Sequence, residues 1–260
     1  MKQHHPDAEI AAGNPWYLAD QIRSQLGSPG RRRVIEDRWR VFRDMLRDWR
    51  ERHGRAGRLT VLDAGCGDGI NLIGLHDLAG QQGLDINLFG LDYNPVRLAR
   101  AQQVAAHARL QQGSLYFLPF ASDSVDVVLC NHVLEHVPDA STALTELARV
   151  LRPGGMLIVG VPNEGCLMGR ARNGFVQRWI GGATDHVHFF TTQTLTDALH
   201  RAGLRVGRLE RETFFFPCSY MNACCNEFAV GHWLMAVLRT LMPSQAGGLI
   251  VAAEKPEVLR

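Results

Sequence analysis

Val61-Leu62-Asp63-Ala64-Gly65-Cys66-Gly67-Asp68-Gly69 closes a short apolar run that begins at Leu59. An apolar run ending in a carboxylate, followed by three alternate glycines and a helix-like segment, reads as a strand feeding a tight turn. Glycine lets the backbone come closer to a ligand than a Cβ would permit. The carboxylate sets the sign of that ligand. Asp63 would repel a pyrophosphate at the strand tip and attract a cation. The dinucleotide fingerprint needs glycine at position 70, where Ile70 stands, and a P-loop needs a lysine, of which there is none between Lys2 and Lys255.

At 260 residues the chain suits one large α/β domain, or one domain with additions. A hydrophobic content of 46% supplies a core, and the net charge of +2 identifies no partner. Its distribution is more telling. Of 28 basic residues 26 are Arg, and eleven of these fall between Arg31 and Arg58 beside five acids. The six cysteines include no C-x-x-C pair, so neither a disulfide framework nor a zinc site is indicated. The polar start Met1-Lys2-Gln3-His4-His5-Pro6 lacks the apolar core of a secretion signal, and the expected compartment is the cytoplasm. The most apolar stretch, Thr213 to Met242, is broken by Pro217, Glu227, His232 and Arg239 and does not read as a membrane span.

Residues 1–14 read as loosely attached. Ile35, Trp39, Phe42, Leu46 and Trp49 recur at helical spacing, with Arg40, Arg43, Arg47 and Arg50 on the opposite stripe. This is an amphipathic helix lying on the domain, its Arg face either solvated or contacting RNA or another anionic surface. From Leu59 strand and helix signals alternate, which predicts a parallel sheet. Strands are expected near 59–63, 86–91, 110–115, 124–130, 155–161, 204–212 and 247–254. Helices are expected near 70–81, 95–108, 139–151 and 192–202, the third stopping at Pro153-Gly154-Gly155 and the last capped by Gly203.

Further motifs follow in order. Leu88-Phe89-Gly90-Leu91-Asp92-Tyr93 puts an acid at a second strand tip, 23 residues after Gly69. A carboxylate there can accept bonds from both ribose hydroxyls, or simply cap the helix that starts at Pro95. Gly113-Ser114-Leu115-Tyr116-Phe117-Leu118-Pro119-Phe120, then Asn131-His132-Val133-Leu134-Glu135-His136-Val137, then Arg152-Pro153-Gly154-Gly155 complete the series. Together with the opening nonapeptide these resemble the class I S-adenosylmethionine (SAM) dependent methyltransferases of the small-molecule type. The match to the family form hydrophobic-Leu-Asp-x-Gly-Cys-Gly-x-Gly is close, and five ordered motifs run from about residue 59 to 161.

That resemblance implies a Rossmann-like α/β fold: a seven-stranded, mostly parallel sheet with helices on both faces, an antiparallel last strand and a helical N-terminal extension. It implies residues 1–58 as an extension covering substrate or cofactor, and 59–260 as the methyltransferase domain with insertions at about 163–190 and 213–243. The implied cofactor is SAM, held by Asp63, Gly65, Cys66, Gly67, Asp92, Tyr93, Ser114, Leu115 and Asn131. Ser114 replaces the usual Asp facing the adenine amino group; a hydroxyl still donates or accepts, and the backbone of Leu115 takes more of that role.

For catalysis the candidates are His136, His132, His186 and His188, since histidine titrates near neutral pH and suits removal of a hydroxyl proton. The alternative for each is loop or helix-start structure. Asp185, His186 and His188 lie at the end of the first insertion; a third metal ligand is not evident, so no metal is expected. Phe214-Phe215-Phe216, Phe228, Trp233, Leu234, Val237 and Leu238 form either a lid toward a lipid-linked acceptor or packing against the sheet. Vicinal Cys224 and Cys225 read as inert.

The expected activity is in-line methyl transfer from SAM to a small or carrier-linked metabolite, with O-methylation leading. An RNA methyltransferase is the rival, disfavoured because strand four lacks an Asn/Asp-Pro-Pro-Tyr/Phe motif and no RNA-binding module is recognisable. A non-catalytic SAM-binding scaffold is the third alternative. Nucleic acid is thus the less favoured partner, peripheral membrane contact stays open, and the oligomeric state is unassigned.

Overall fold

A computed structural model describes residues 18–171, 186–214 and 225–257 of the chain. The expectations for residues 1–14, Asp185, Phe215, Phe216 and Cys224 fall outside them. Two helices come first, α1 (Gln21–Leu26) and α2 (Pro29–His53), then β1 (Leu59–Ala64), α3 (Ile70–Gln82), β2 (Ile86–Asp92), α4 (Pro95–Val104) and β3 (Arg109–Gln112). The second half carries β4 (Val125–Asn131), α5 (Ala140–Val150), β5 (Leu151–Pro162), α6 (Leu167–Ala171), α7 (Thr192–Arg201), β6 (Arg205–Phe214), α8 (Ala229–Leu241) and β7 (Ala246–Glu254).

The strands form one sheet in the order β3-β2-β1-β4-β5-β7-β6. Pairing is parallel from β3 through β5, while β7 runs antiparallel to both of its neighbours. The order reverses between β1 and β4. Crevices at that switch point, beyond the carboxyl ends of the strands, are where open α/β sheets bind ligands. β4 reads as a central strand because all seven of its residues are buried, which an apolar run bounded by polar turns allows and an alternating one would not.

Two apolar layers flank the sheet. One joins Leu144, Leu147, Leu195 and Leu199 of α5 and α7 to Val128, Leu157 and Val251. The other joins Phe42, Met45, Leu46 and Trp49 of α2 to Leu72 and Leu75 of α3 and to Leu59, Met156 and Ile158. The predicted amphipathic helix is therefore part of the core. Ser28 caps its start by accepting from the Arg31 amide, and Gly54 ends it in the left-handed conformation. Trp49 is fully buried and donates from Nε1 to the Gly154 carbonyl at 2.8 Å. That bond ties α2 to the Arg152-Pro153-Gly154-Gly155 segment. The segment is not a separate turn: β5 starts at Leu151, with an irregularity in its pairing between Val125 and Val127.

Other differences are local. β3 stops at Gln112, leaving Ser114 and Leu115 in the following loop, and α4 stops at Val104. The face opposite the α2 core is not a bare cationic stripe. Arg40 pairs with Asp37, Arg47 with Asp44 and Asp48, and Asp48 also receives Arg208 of β6. Packing against the sheet does not hold for Phe228, Trp233 and Leu234, which are exposed; α8 turns only Met235 fully inward, because it lies on the outer strand β6. No helix among the described residues is long and apolar enough to cross a membrane.

Trp49→Ala should destabilise the fold by about 3–5 kcal/mol, the range for large aromatic truncations in a core, read by denaturant unfolding. Trp49→Phe should cost less, leaving chiefly the Gly154 carbonyl unpaired. Equal, small losses for both would show that α2 is not part of the core.

Candidate functional site

β1 delivers Asp63 to its carboxyl end, and the chain then turns through Gly65, Gly67 and Gly69 with φ of 84°, 52° and 89°. These angles lie in the left-handed region that side chains disfavour. A Cβ on Gly65 would also collide with Val133, from the loop after β4. The turn is held against β2: Gly65 and Cys66 both donate to the Leu91 carbonyl, at 2.7 and 3.0 Å. Asp92 completes the tie. One carboxylate oxygen accepts from the Gly67 amide and the other from Asn94, each at 2.8 Å. A carboxylate oxygen has two lone pairs, so Asp92 retains acceptor capacity on both.

Asp63 differs sharply. It is fully buried, and neither of its oxygens has a hydrogen-bond partner among the described residues. Burial, reinforced by the nearby Asp92 charge, pushes its carboxyl up to about 8. Burial also raises Asp92, against the two amides and Arg97, which pull it down. A buried carboxyl with no hydrogen-bond partner among the described residues is a group that a positive charge would compensate.

A third acid, Asp68, was not singled out from sequence. It is buried, flanked by Arg97 at 3.9 Å and Arg100 at 3.6 Å, and accepts from the Gln21 amide at 2.7 Å. Arg100 also donates to the carbonyls of Leu18 and Ala19. The chain entering α1 is thereby pinned across the glycine turn. An Asp inside a glycine motif was a visible signal, but its partners lie 29 to 47 positions away in sequence.

Of the remaining residues named from sequence, Tyr93 directly follows Asp92, and its carbonyl accepts from Gln112. Leu115 is buried, and the exposed Ser114 hydroxyl accepts from the Tyr116 amide at 3.2 Å. Asn131 ends β4 with its side-chain oxygen buried and without a partner among the described residues. Cys66 is buried, and its thiol is pushed well up by burial and by Asp63. It is an inert wall.

The four histidines do not form one group. His132 sits at φ 55°, with Nδ1 3.1 Å from Glu135 Oε1 and Nε2 3.2 Å from Arg38 Nη2 and 3.7 Å from Glu212 Oε2. Burial and Arg38 act to lower its pKa, but the hydrogen-bonded carboxylates win and hold it above the ordinary value. Burial would raise Glu212, yet Arg38 and His132 bring it down to about 2. His132 is thus engaged on both nitrogens and is a positioning group joining α2, β4 and β6.

His136 and His186 come together, with ring centroids 5.0 Å apart and edge-to-face. His186 Nδ1 lies 3.2 Å from Glu164 Oε1. His188 points away, its Nε2 3.2 Å from the Pro138 carbonyl. An extended chain would put 186 and 188 on one side; the bend at Val187 sets them apart. The backbone amides of Val187 and His188 both donate to the Glu135 carbonyl, at 2.8 and 3.2 Å, which fastens the end of the first insertion to the β4 loop. Glu135 and Glu164, absent from the sequence-derived site, complete this corner.

A methyltransferase domain family matches residues 62–159. A probable SAM-dependent methyltransferase of Mycolicibacterium smegmatis is 38% identical over 112 residues, 43% of this chain and 41% of that protein. The matched region thus spans less than half of that relative's length. A ubiquinone biosynthesis O-methyltransferase of Aeromonas salmonicida is 29% identical over 167 residues, 61% of this chain and 68% of the other. Among solved structures, a chain in the complex between the Haloferax volcanii Trm112 methyltransferase activator and a methyltransferase superposes with TM-score 0.58 at 24% identity, covering 92% of this chain and 99% of that one. Residues 62–159 therefore carry a methyltransferase domain, and the cofactor that its relatives name is SAM. The site fits that group. A buried carboxylate without a counter-charge, a turn that a Cβ would obstruct and a second carboxylate with open lone pairs suit a cationic adenosyl compound.

Without ligand, Asp63 takes up a proton on folding, because its folded value near 8 exceeds the ordinary 3.8. Its contribution is therefore full below about pH 4 and is lost as pH rises to about 8. Asp63→Asn should melt increasingly above the parent as pH rises from about 5 to about 9. Parallel melting curves across that range would contradict the burial-driven shift.

Proposed function

We propose that the chain transfers the methyl group of SAM to an oxygen of a small or carrier-linked metabolite, presented from the β4–β5 side of the site. Bound SAM supplies an electrophilic methyl on a positively charged sulfur. The observation that supports the donor end is the unpaired Asp63 carboxylate beside the glycine turn. In this reading Asp63 faces the cationic methionine portion, Asp92 accepts from the ribose hydroxyls, and Tyr93, Ser114 and Leu115 border the adenine. Asn131, its side-chain oxygen unpaired among the described residues, belongs to the same wall. The segment 18–21, pinned through Asp68 and Arg100, covers the turn and keeps water away from the reacting carbon.

The acceptor end is read from the chemistry at the end of β4. An alcohol or phenol must surrender its proton as the methyl bond forms, and the proton needs a lone pair nearby. His136 and His186, with Glu135 and Glu164 behind them, provide such a corner. His186 donates Nδ1–H to Glu164, which turns the lone pair of Nε2 outward. His132 supports this corner indirectly through Glu135. Orientation of the acceptor oxygen opposite the departing sulfur is then the chain's main task. The Aeromonas relative, named for O-methylation in ubiquinone biosynthesis, supports oxygen as the acceptor atom. The exposed Phe228 at the start of α8 and Val230, Trp233 and Leu234 on it favour an acceptor with an apolar carrier or tail. RNA is not favoured, because the arginines of α2 that would meet it are largely occupied by Asp37, Asp44 and Asp48.

Asp92→Ala should weaken SAM binding by about tenfold to several hundredfold, as expected for losing hydrogen bonds to a charged group, measured by calorimetry. Retained affinity would remove the ribose assignment. Incubation with methyl-labelled SAM and separate pools of phenolic metabolites, lipids and RNA should label the first or second pool. Label in RNA alone would overturn the acceptor class, and no label despite tight SAM binding would favour a scaffold.

A further inference from the structure

The corner beyond β4 holds more than a proton acceptor requires. Glu135, His136 and His186 each present one ligand atom, and these atoms all lie within 4.8 Å of one another. Their supports are already fixed. Glu135 is buried, and its Oε2 has no hydrogen-bond partner among the described residues, while Oε1 is engaged by His132. His186 shows the arrangement usual for a metal-bound imidazole, one nitrogen given to a carboxylate (Glu164, 3.2 Å) and the other left to coordinate. The Glu135 carbonyl is meanwhile bonded to the amides of Val187 and His188, so the first insertion cannot carry His186 away without breaking both bonds.

From this juxtaposition we propose that Glu135, His136 and His186 form a binding site for one divalent transition-metal ion of the zinc type, oriented by Glu164. Two imidazoles and a carboxylate favour zinc and its neighbours over magnesium or calcium, which prefer oxygen ligands. Zinc bonds of about 2.0–2.2 Å require the three atoms to draw together by roughly an ångström, which side-chain rotation on two short loops provides. Three protein ligands leave a fourth position open, as catalytic zinc sites do. With the ion bound, the imidazole lone pairs coordinate it in place of accepting the proton; this version of the acceptor corner rests on the proposed function for its purpose. An acceptor hydroxyl in the open position would ionise more readily, its proton passing to solvent while its oxygen keeps the lone pair for the methyl carbon. The competing account is an edge-to-face histidine contact that merely packs the insertion.

The test uses the full tag-free chain, stripped with chelator and titrated with zinc alone by calorimetry, and with cobalt alone by visible absorption. One equivalent should bind, with the intense absorption of a four- or five-coordinate cobalt site. His186→Ala should abolish that absorption and weaken zinc by at least about a hundredfold, and Glu164→Gln should weaken it by about 10–100-fold. His200→Ala, a surface change on α7, should leave the affinity as it was. SAM binding, measured on the same proteins, should persist in His186→Ala, which shows that the variant is folded and keeps the donor site separate. Absence of stoichiometric binding by the parent, or binding unchanged in His186→Ala, overturns the proposal. Failure of SAM binding by the parent would instead overturn the donor assignment, whatever the metal does.

Discussion

A buried carboxylate with no hydrogen-bonding or ion-pair partner among the described residues governs this structure. Asp63 lies at the end of a central strand, fully enclosed, and its burial raises its carboxyl to about 8. A core optimised for stability alone would hold an apolar residue there. The surrounding architecture preserves the arrangement instead of relieving it. The glycine turn bends away from the strand, Leu91 accepts two of the turn's amides, and Asp92 fixes a third. The cost of that burial is one that a positively charged ligand would relieve.

The sheet order explains why this corner is where chemistry collects. Between β1 and β4 the connections diverge to opposite sides, so the loops after those strands leave a crevice instead of covering it. In the proposed function, donor-facing groups come from β1 and β2, and acceptor-facing groups from the loop after β4 and the two ends of the first insertion. His132 links the acceptor side to the body: Glu135 binds one nitrogen, while Arg38 of α2 and Glu212 of β6 meet the other. The N-terminal helix thereby takes part twice, filling the core through Phe42 and Trp49 and steadying the β4 loop through Arg38.

Much of this was legible from residue order. The strands around 59–63, 86–91 and 247–254 and the helices at 70–81 and 139–151 lie where hydrophobic period and glycine or proline breaks placed them, because each is bounded by local chemistry. The acids at strand tips were also local signals. What the sequence could not convey was convergence. Asp68 meets Gln21 and Arg100, His132 meets Arg38 and Glu212, and His136 meets His186, all across tens of residues or more. Glu135 was visible within Leu134-Glu135-His136, but nothing adjacent showed that His186 would reach it. The apolar α8 misled for a related reason. Period alone does not reveal that a helix lies on an outer strand and keeps Phe228 and Trp233 exposed.

In the proposed binding mode Asp63 is protonated without ligand and charged with it. Calorimetry of SAM binding near neutral pH, in buffers of different ionisation enthalpy, reads the protons exchanged on binding. The parent should release more protons than Asp63→Asn, and its affinity should rise toward about pH 8 more steeply than that of the variant. Equal proton release and equal affinity in the two proteins would contradict the claim that this carboxylate receives the cationic ligand.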